Sequence, residues 1–461
     1  MSFDIREHNL PLPKGWSYKK ISDVAKVNAN TIRKKDAPDE IYYIDISSVS
    51  NGSFAPPKHM LYADAPSRAK RIVKKNDFII STVRPNLKQY VFLDEVHENW
   101  IASTGFAVVT AIEAGTEWYL YSVITSELFN EHLVRVADGG AYPAFNPKEI
   151  EDAVIFWPDE DGLRVINDLA FNLNTKQKNN TQTNQALEQI AQAIFKSWFV
   201  DFDPVKAKIE TLAAGGSADD AELAAMRVIS AKTLDELNGL KASNSEAFNK
   251  LAQTAALFPD AMQDSELGEI PEGWEVKQLS EICQVINGRA YKNTEFKTEG
   301  TPIVRIQNLS NGGKTVYSDL ELPPEKYIDR EDFIYAWSAT FGPHIWRGPK
   351  SIFHYHIWKM EVDESVISRY FLYLSMFRKT EAMKNAGTGS IFTHLTKKIM
   401  ESQHVLIGDH AINKKFSDII VPIFDQISSL KNESTDLADI RDVLLPKLLT
   451  GDGLTSEVAN V

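Results

Sequence analysis

Two stretches of the chain carry apolar residues at helical spacing over many turns. From Phe416 they run Phe416, Ile420, Ile423, Ile427, Leu430, Leu437, Leu444 and Leu448, with polar Ser434 and Arg441 in the two missing slots. Steps of four and three predict a heptad seam rather than a merely amphipathic face. Pro422 lies inside it and predicts a kink or an interruption. An earlier stripe opens with Ile166, Leu169 and Leu173 and closes with Leu187, Ile190, Ile194 and Trp198, around a polar centre from Asn174 to Gln185. Each stripe suits a helix of about 40 residues, on the order of 60 Å at ~1.5 Å per residue. Two such seams predict a helix pair. Before each stripe, short runs such as Ile41-Tyr42-Tyr43-Ile44 and Thr301-Pro302-Ile303-Val304-Arg305-Ile306 read as strands punctuated by Gly, Pro and Asn. Glu117 to Val134 and Val366 to Met383 read as helices. Each half therefore predicts a compact α/β domain followed by a long helix.

The halves are copies. Leu12-Pro13-Lys14-Gly15-Trp16, then Ile21-Ser22-Asp23-Val24, returns as Ile270-Pro271-Glu272-Gly273-Trp274, then Leu279-Ser280-Glu281-Ile282. Asp77-Phe78-Ile79 returns as Asp332-Phe333-Ile334, and Gly140 with Lys148 as Gly389 with Lys397. So long a period excludes a solenoid and indicates one domain-plus-helix unit used twice. The boundaries that follow are a first domain over 1–160, a long helix over 161–202, an acidic, partly helical connector over 203–268, a second domain over 269–408, a second long helix over 409–451 and a tail over 452–461. Duplication predicts a pseudo-two-fold relation between the domains.

Charge changes the picture locally. The chain of 461 residues has a net charge of −13, which argues against a free-standing nucleic-acid binder. Yet Ala65 to Leu93 holds seven bases and one acid, and Phe333 to Met360 holds Arg347, Lys350, Lys359, three histidines and no carboxylate. The connector region from Asp201 to Glu266 carries twelve acids against six bases. Segregation of this kind predicts two local basic surfaces. A single cysteine, Cys283, excludes an intrachain disulfide, and its apolar neighbours predict a buried thiol. No apolar run approaches the roughly 18–20 residues of a membrane helix. With no signal-peptide pattern at Met1 to Glu7, the expected location is the cytoplasm.

Catalytic constellations are missing. The sequence contains no phosphate-cradling glycine loop, no Gly-x-Ser-x-Gly elbow and no His-Glu-x-x-His. His354-x-His356 has a spacing that can hold a metal, but lacks an evident third ligand, so polar contacts or packing are expected and no metal site. Asp201 and Asp203 fit helix capping.

The order of the motifs resembles that of a specificity subunit of type I DNA restriction–modification systems. Leu12–Trp16 and Ile270–Trp274 are similar to the openings of that family's two target-recognition domains. Asp77–Asn86, Ala102–Phe106, Asp332–Trp337 and Gly387–Ser390 resemble common forms of those domains. Ala193–Pro204 resembles the end of its central helical region, and Ser265–Trp274 and Arg441–Gly451 complete the likeness. The resemblance covers essentially the whole chain. It implies a non-catalytic subunit with two α/β target-recognition domains joined by a long antiparallel helical coiled-coil pair. Each domain would read one half of a split target on double-stranded DNA. Two methyltransferase subunits and two motor–nuclease subunits would dock on the chain. S-adenosylmethionine, ATP and Mg would then sit on those partners, with no cofactor on this chain. An enzyme with an unrecognised site and a protein scaffold that never touches DNA are the alternatives.

Residue chemistry nominates the contacts. Arginine and lysine reach guanine edges or phosphates, and asparagine reaches adenine. In the first domain these are Arg68, Lys70, Arg71, Arg84, Asn86 and Lys88, together with Tyr142. In the second they are Arg289, Lys292, Arg347, Lys350 and His354, with Thr388, Ser390, Thr393 and His394 beside a glycine loop. Trp16 and Trp274, at equivalent repeat positions, are expected in the core. The helix-pair or subunit interface would use Leu187, Ile190, Ile194, Trp198, Phe199, Ile423, Ile427, Leu430, Leu437, Leu444 and Leu448.

Overall fold

In the computed structural model, residues 2–33, 36–309, 314–338, 341–385 and 395–449 are described. They form two compact units, Met1–Asn179 with the chain from Ser434, and Asn180–Glu433.

The first domain contains ten main strands: β1 (Ser17–Lys20), β2 (Ala25–Val27), β3 (Glu40–Ile44), β4 (Lys58–Leu61), β5 (Ala69–Ile72), β6 (Phe78–Ser81), β7 (Tyr90–Phe92), β8 (Trp100–Ser103), β9 (Phe106–Ala111) and β10 (Val154–Trp157). They assemble as two four-stranded sheets, ordered β4-β3-β8-β5 and β2-β9-β6-β7, and a β1-β10 pair. The second domain contains β11 (Glu275–Gln278), β12 (Cys283–Asn287), β13 (Thr301–Val304), β14 (Val316–Ser318), β15 (Tyr327–Ile328), β16 (Phe333–Ala336), β17 (Gly342–Ile345), β18 (Ser351–Phe353), β19 (Ile357–Val362) and β20 (His404–Ile407). Their orders are β14-β13-β18-β15, β12-β19-β16-β17 and β11-β20. Every strand of the second domain has the neighbours of the strand numbered ten lower. Even the one parallel pairing among these strands recurs, Ile44 beside Ala102 and Val304 beside Phe353. The repeat read in the sequence is thus a repeat of topology.

The cores follow the apolar alternation. Phe78, Ile80, Ala107 and Val109 point to one side of the first domain's second sheet, towards Trp118, Tyr119 and Phe129 of the helices Glu117–Ile124 and Glu127–Val136. Ile79, Val91, Phe106 and Val108 point to the other side, into a separate cluster under the first sheet. Trp16 and Trp274 are buried in their respective cores.

The first long helix spans Glu160–Phe199 and the second His410–Leu449. Each gives one half to each unit, and in both units the segments run antiparallel. Ile166 and Ala170 share a core with Leu448 in one unit. In the other, Phe195 packs on Phe416 at 5.9 Å while Asn180 meets Leu430. The helix runs through Pro422 without the interruption that was one of the two expected outcomes. Burial of Ile420, Phe424 and Ile427 on either side of the proline holds the helix where one backbone donor is missing.

The polar centre of the first helix is part of its seam. The inward positions continue in steps of four and three through Leu173, Gln177, Asn180, Asn184, Leu187, Ala191, Ile194 and Trp198. The Asn180 amide donates to Glu433 Oε2 at 2.8 Å, and Gln177 Nε2 donates to Ser434 O at 3.1 Å. Buried amides at seam positions fix register at some cost in stability. This register turns Ile190 outward, 48% exposed, and seats Ala191 instead. On the second helix Phe424 is buried while Ile423, Leu430 and Leu437 are half-buried, and Leu444 is 38% exposed.

The connector is more ordered than its composition suggests. Helices Asp203–Ala213, Ala218–Ser230, Leu234–Ser243 and Ser245–Ala256 fill it, two of them opened by Ser217–Asp220 and Thr233–Glu236 capping boxes. A hairpin, Met262–Ser265 with Gly268–Pro271, leads into the second domain.

Candidate nucleic-acid interface

In the first domain, three motifs far apart in sequence meet at one end of β6. Thr82 N donates to Gly105 O at 2.8 Å, joining the segment after β6 to the turn between β8 and β9. Phe145 N donates to Thr82 O at 3.0 Å, adding the loop that follows Val136. That loop closes on itself through a bridge between Asp138 and Ala144. Gly139 makes this possible at φ +123°, where a Cβ would stand 3.0 Å from the Tyr142 carbonyl oxygen.

Arg84 belongs to this junction. It takes a left-handed conformation at φ 50°, its N donates to Pro143 O at 2.7 Å, and its Nη2 donates to Ala141 O at 3.1 Å. Its guanidinium lies 4.2 Å from the centre of the Tyr142 ring, a cation–π contact, and Tyr142 is 67% exposed. Fifty-eight residues apart, these two side chains form one exposed charged and aromatic surface. Arg68 stands nearby. Its carbonyl accepts from Thr104 N at 2.7 Å, and its exposed guanidinium reaches Asp45 at 3.3 Å. Asn86 is exposed in the turn Pro85–Leu87. Lys88 is engaged by Glu127, and Lys70 is half-buried. Arg71 Nη1 donates to Thr31 at 3.3 Å, while its buried Nε has no protein partner. Burial pulls its pKa below the ordinary arginine value.

The second domain gathers its candidates around His354. Arg289 bridges to it along the backbone, and only glycine fits before that crossing, since a Cβ on Gly288 would lie 2.2 Å from the His354 carbonyl oxygen. The Tyr291 ring stacks at 6.4 Å from that of His354, and the Arg289 guanidinium lies 5.0 Å from the Tyr291 ring centre. Arg289 Nη2 donates to Glu295 at 2.6 Å, whereas its Nη1, the Tyr291 hydroxyl and Arg305 Nε are buried without protein partners. Burial, then the charges of His356 and Arg305, hold the His354 pKa below its ordinary value, so the ring is neutral near pH 7. Trp337 stands beside them, its indole donating to Tyr355 O at 2.9 Å. Lys292 is exposed, and exposed Lys350 lies over the Tyr327 ring at 5.0 Å.

Arg347 stands apart from this group. Its Nη1 donates to Glu331 and to Ser428 of the second long helix, its side chain is largely buried, and its Nε has no protein partner. Thr388, Ser390, Thr393 and His394 lie outside the described residues. Arg305, Tyr291 and Tyr355 were not among the nominated residues. One signal was available: at the repeat position where the first domain has Asp45 the second has Arg305, a reversal of charge on a shared strand end. The two histidines pack with aromatic rings, His356 on Trp337 at 5.0 Å. Among the described residues no group of three metal-ligating side chains forms, and no helix is long and apolar enough to cross a membrane.

Residues 271–438 match the family model described as the type I restriction modification DNA specificity domain. Over 95% of this chain and 99% of the other, the sequence is 31% identical to the type I restriction enzyme HindI specificity subunit of Haemophilus influenzae. The chain belongs to the type I restriction specificity subunits. Being a specificity subunit, it is a non-catalytic, DNA-binding target-recognition protein. It is also 22% identical to the MjaIX specificity subunit of Methanocaldococcus jannaschii, over 96% of this chain and 94% of that one. A solved type I restriction–modification S subunit from M. genitalium aligns over 95% of this chain and 96% of its own at a TM-score of 0.49, with 14% identity.

Proposed function

We propose that this specificity subunit reads a split target on double-stranded DNA, one half with each domain, the long helices fixing the spacing. The observation that carries the reading is the placement of guanidinium donors. Arg71 in the first domain, and Arg289 and Arg305 in the second, have buried N–H groups that no protein oxygen accepts. A buried, unpaired donor is costly, and since these atoms are enclosed in the free chain, a shift of each side chain on binding would bring it to a phosphate or base edge. In the first domain Arg68, Arg84, Asn86 and Tyr142 extend the same surface. Arg347 is left out of the reading set because its Nη1 binds Glu331 and, on the second long helix, Ser428, away from the His354 group, although its Nε too is buried without a protein partner.

The outward Ile190, Ile440, Val443 and Leu444 suit the docking of partner subunits on the helices. Two methyltransferase subunits and two motor–nuclease subunits are the partners of this reading. They would carry S-adenosylmethionine, ATP and Mg and supply part of the positive charge around DNA, in the cytoplasm. The test is a genome-wide map of methylated adenines with and without the gene. A two-part motif with a fixed gap should vanish on deletion. An unchanged map, with no salt-dependent DNA binding by the assembled complex, rejects the reading.

A further inference from the structure

The two domains are tied to their own helix segments at the same topological point by different chemistry. Leu93 N donates to Asp77 O, and Trp346 N to Asp332 O, both at 2.8 Å, so Asp94 and Arg347 occupy equivalent positions just after β7 and β17. The long helices match at a shift of 250 residues, Glu160–Phe199 against His410–Leu449, so Lys178 and Ser428 are equivalent too. In the first domain Asp94 pairs with Lys178 at 2.5 Å, and both side chains are well exposed. In the second, Arg347 binds Ser428 and Glu331 in a largely buried setting. Glu331 Oε2 also accepts from the Tyr370 hydroxyl at 3.0 Å, and Arg369 Nη1 donates to the Glu331 carbonyl at 2.8 Å. Glu331 holds φ at 73°, as Asn76 holds 69° at the equivalent place. A glutamate accepts that conformation less readily than an asparagine, and this network is what retains it.

From these contacts we infer that Arg347 is a positioning residue for DNA reading: with Glu331, Tyr370 and Ser428 it fixes the angle of the second domain on its helix segments and so the spacing at which that half-site is accepted. The inference rests on the split-target reading above. The geometry is that of a lever. Glu331 and Arg347 lie at one end of the β16–β17 hairpin, and Trp337, beside His356, lies at the other. Six residues of extended chain separate the ends, about 20 Å. A tilt of about 10° at the strut moves the reading end by about 3.5 Å, one step of a DNA strand. The exposed Asp94–Lys178 pair, screened by solvent, holds its own hairpin less firmly.

The experiment uses the full-length subunit assembled with its methyltransferase and duplexes whose gap is native, one pair shorter or one pair longer. Wild type should favour the native gap. Arg347→Met and the milder Ser428→Ala should cut that preference about tenfold for Arg347→Met and less for Ser428→Ala, while native-gap affinity changes less than about threefold. Arg347→Lys should restore part of it, and Asp94→Asn should have a smaller effect. Unchanged gap preference in folded Arg347→Met overturns the proposal. So does a parallel loss on all duplexes and on unrelated DNA with a shallower salt slope, which marks a phosphate contact. Hydrogen exchange without DNA gives an independent reading: Arg347→Met should expose the amides of β16 and β17, and unchanged protection rejects the strut. A wild-type complex indifferent to the gap rejects the split-target reading, and the exchange result then still judges the strut.

Discussion

The two long helices end in different surroundings. At the end of the first, Phe199 lies 4.8 Å from Phe371, 5.0 Å from Phe416 and 5.2 Å from Trp274, while Trp198 meets Phe258 edge-on at 5.0 Å. The equivalent residues of the second helix are Leu448 and Leu449. Leu448 is buried, but Leu449 and Pro446 line an apolar cavity of about 260 Å³ with Phe3, Ile5, Tyr119 and Phe156. Rings fill the space in one copy, and among the described residues smaller side chains leave it open in the other. Duplication has kept strand order and register while the packing diverged, because topology depends on the pattern of apolar positions and tight packing on their volumes.

The largest expected effect comes from Phe199→Ala, which should cost about 3–5 kcal/mol in urea unfolding of its unit. Leu449→Ala, beside an existing void, should cost clearly less, and equal losses would erase the contrast. Next is the strut. Arg347→Met leaves Glu331 partly buried without its cation and should lower stability by about 3 kcal/mol, against 1 or less, roughly, for the exposed Asp94→Asn. Equal values in paired unfolding measurements would remove the distinction between the two ties. Arg84→Ala should weaken DNA binding by about 1–3 kcal/mol, either for one base of the first half-site or for all sequences with a reduced salt slope. Competition binding separates those outcomes, and no change excludes Arg84 from the interface. Leu449→Phe should sharpen the comparison by adding about 1 kcal/mol of stability as the ring enters the cavity, read as a higher Tm. The smallest effect concerns Asp77. Burial raises its carboxyl pKa above the ordinary 3.8. Its contribution to stability is therefore full below that value and declines as pH rises through the folded one. Asp77→Asn should flatten this slope in unfolding midpoints taken between pH 3.5 and 6.

What could be read beforehand follows from the same division. The repeat, the long helices and the opening tryptophans were visible because period and apolar spacing record topology. The seam through Gln177, Asn180 and Asn184 was obscured because its inward residues are polar, and only the partner helix reveals the bonds of Gln177 and Asn180. Of the two uses expected for Ile190, the helix pair and the subunit interface, its 48% exposure leaves the second, and Ala191 takes the inward place. Arg84 and Tyr142 were both nominated, but their contact depends on a backbone bridge from Val83 to Ala144 that no local pattern encodes. Arg347 looked like a DNA contact because the surrounding stretch lacks acids. Its carboxylate partner, Glu331, lies just before that stretch begins.

The lone thiol has a practical consequence. Cys283 is 5% exposed, and burial pushes its pKa up to about 12, so little thiolate is available to react in the folded chain. A cysteine introduced on either recognition surface could be labelled selectively without first replacing the native one. Two such labels would turn the molecule into its own ruler, reporting in solution how far apart its reading surfaces stand as DNA with different gaps is supplied.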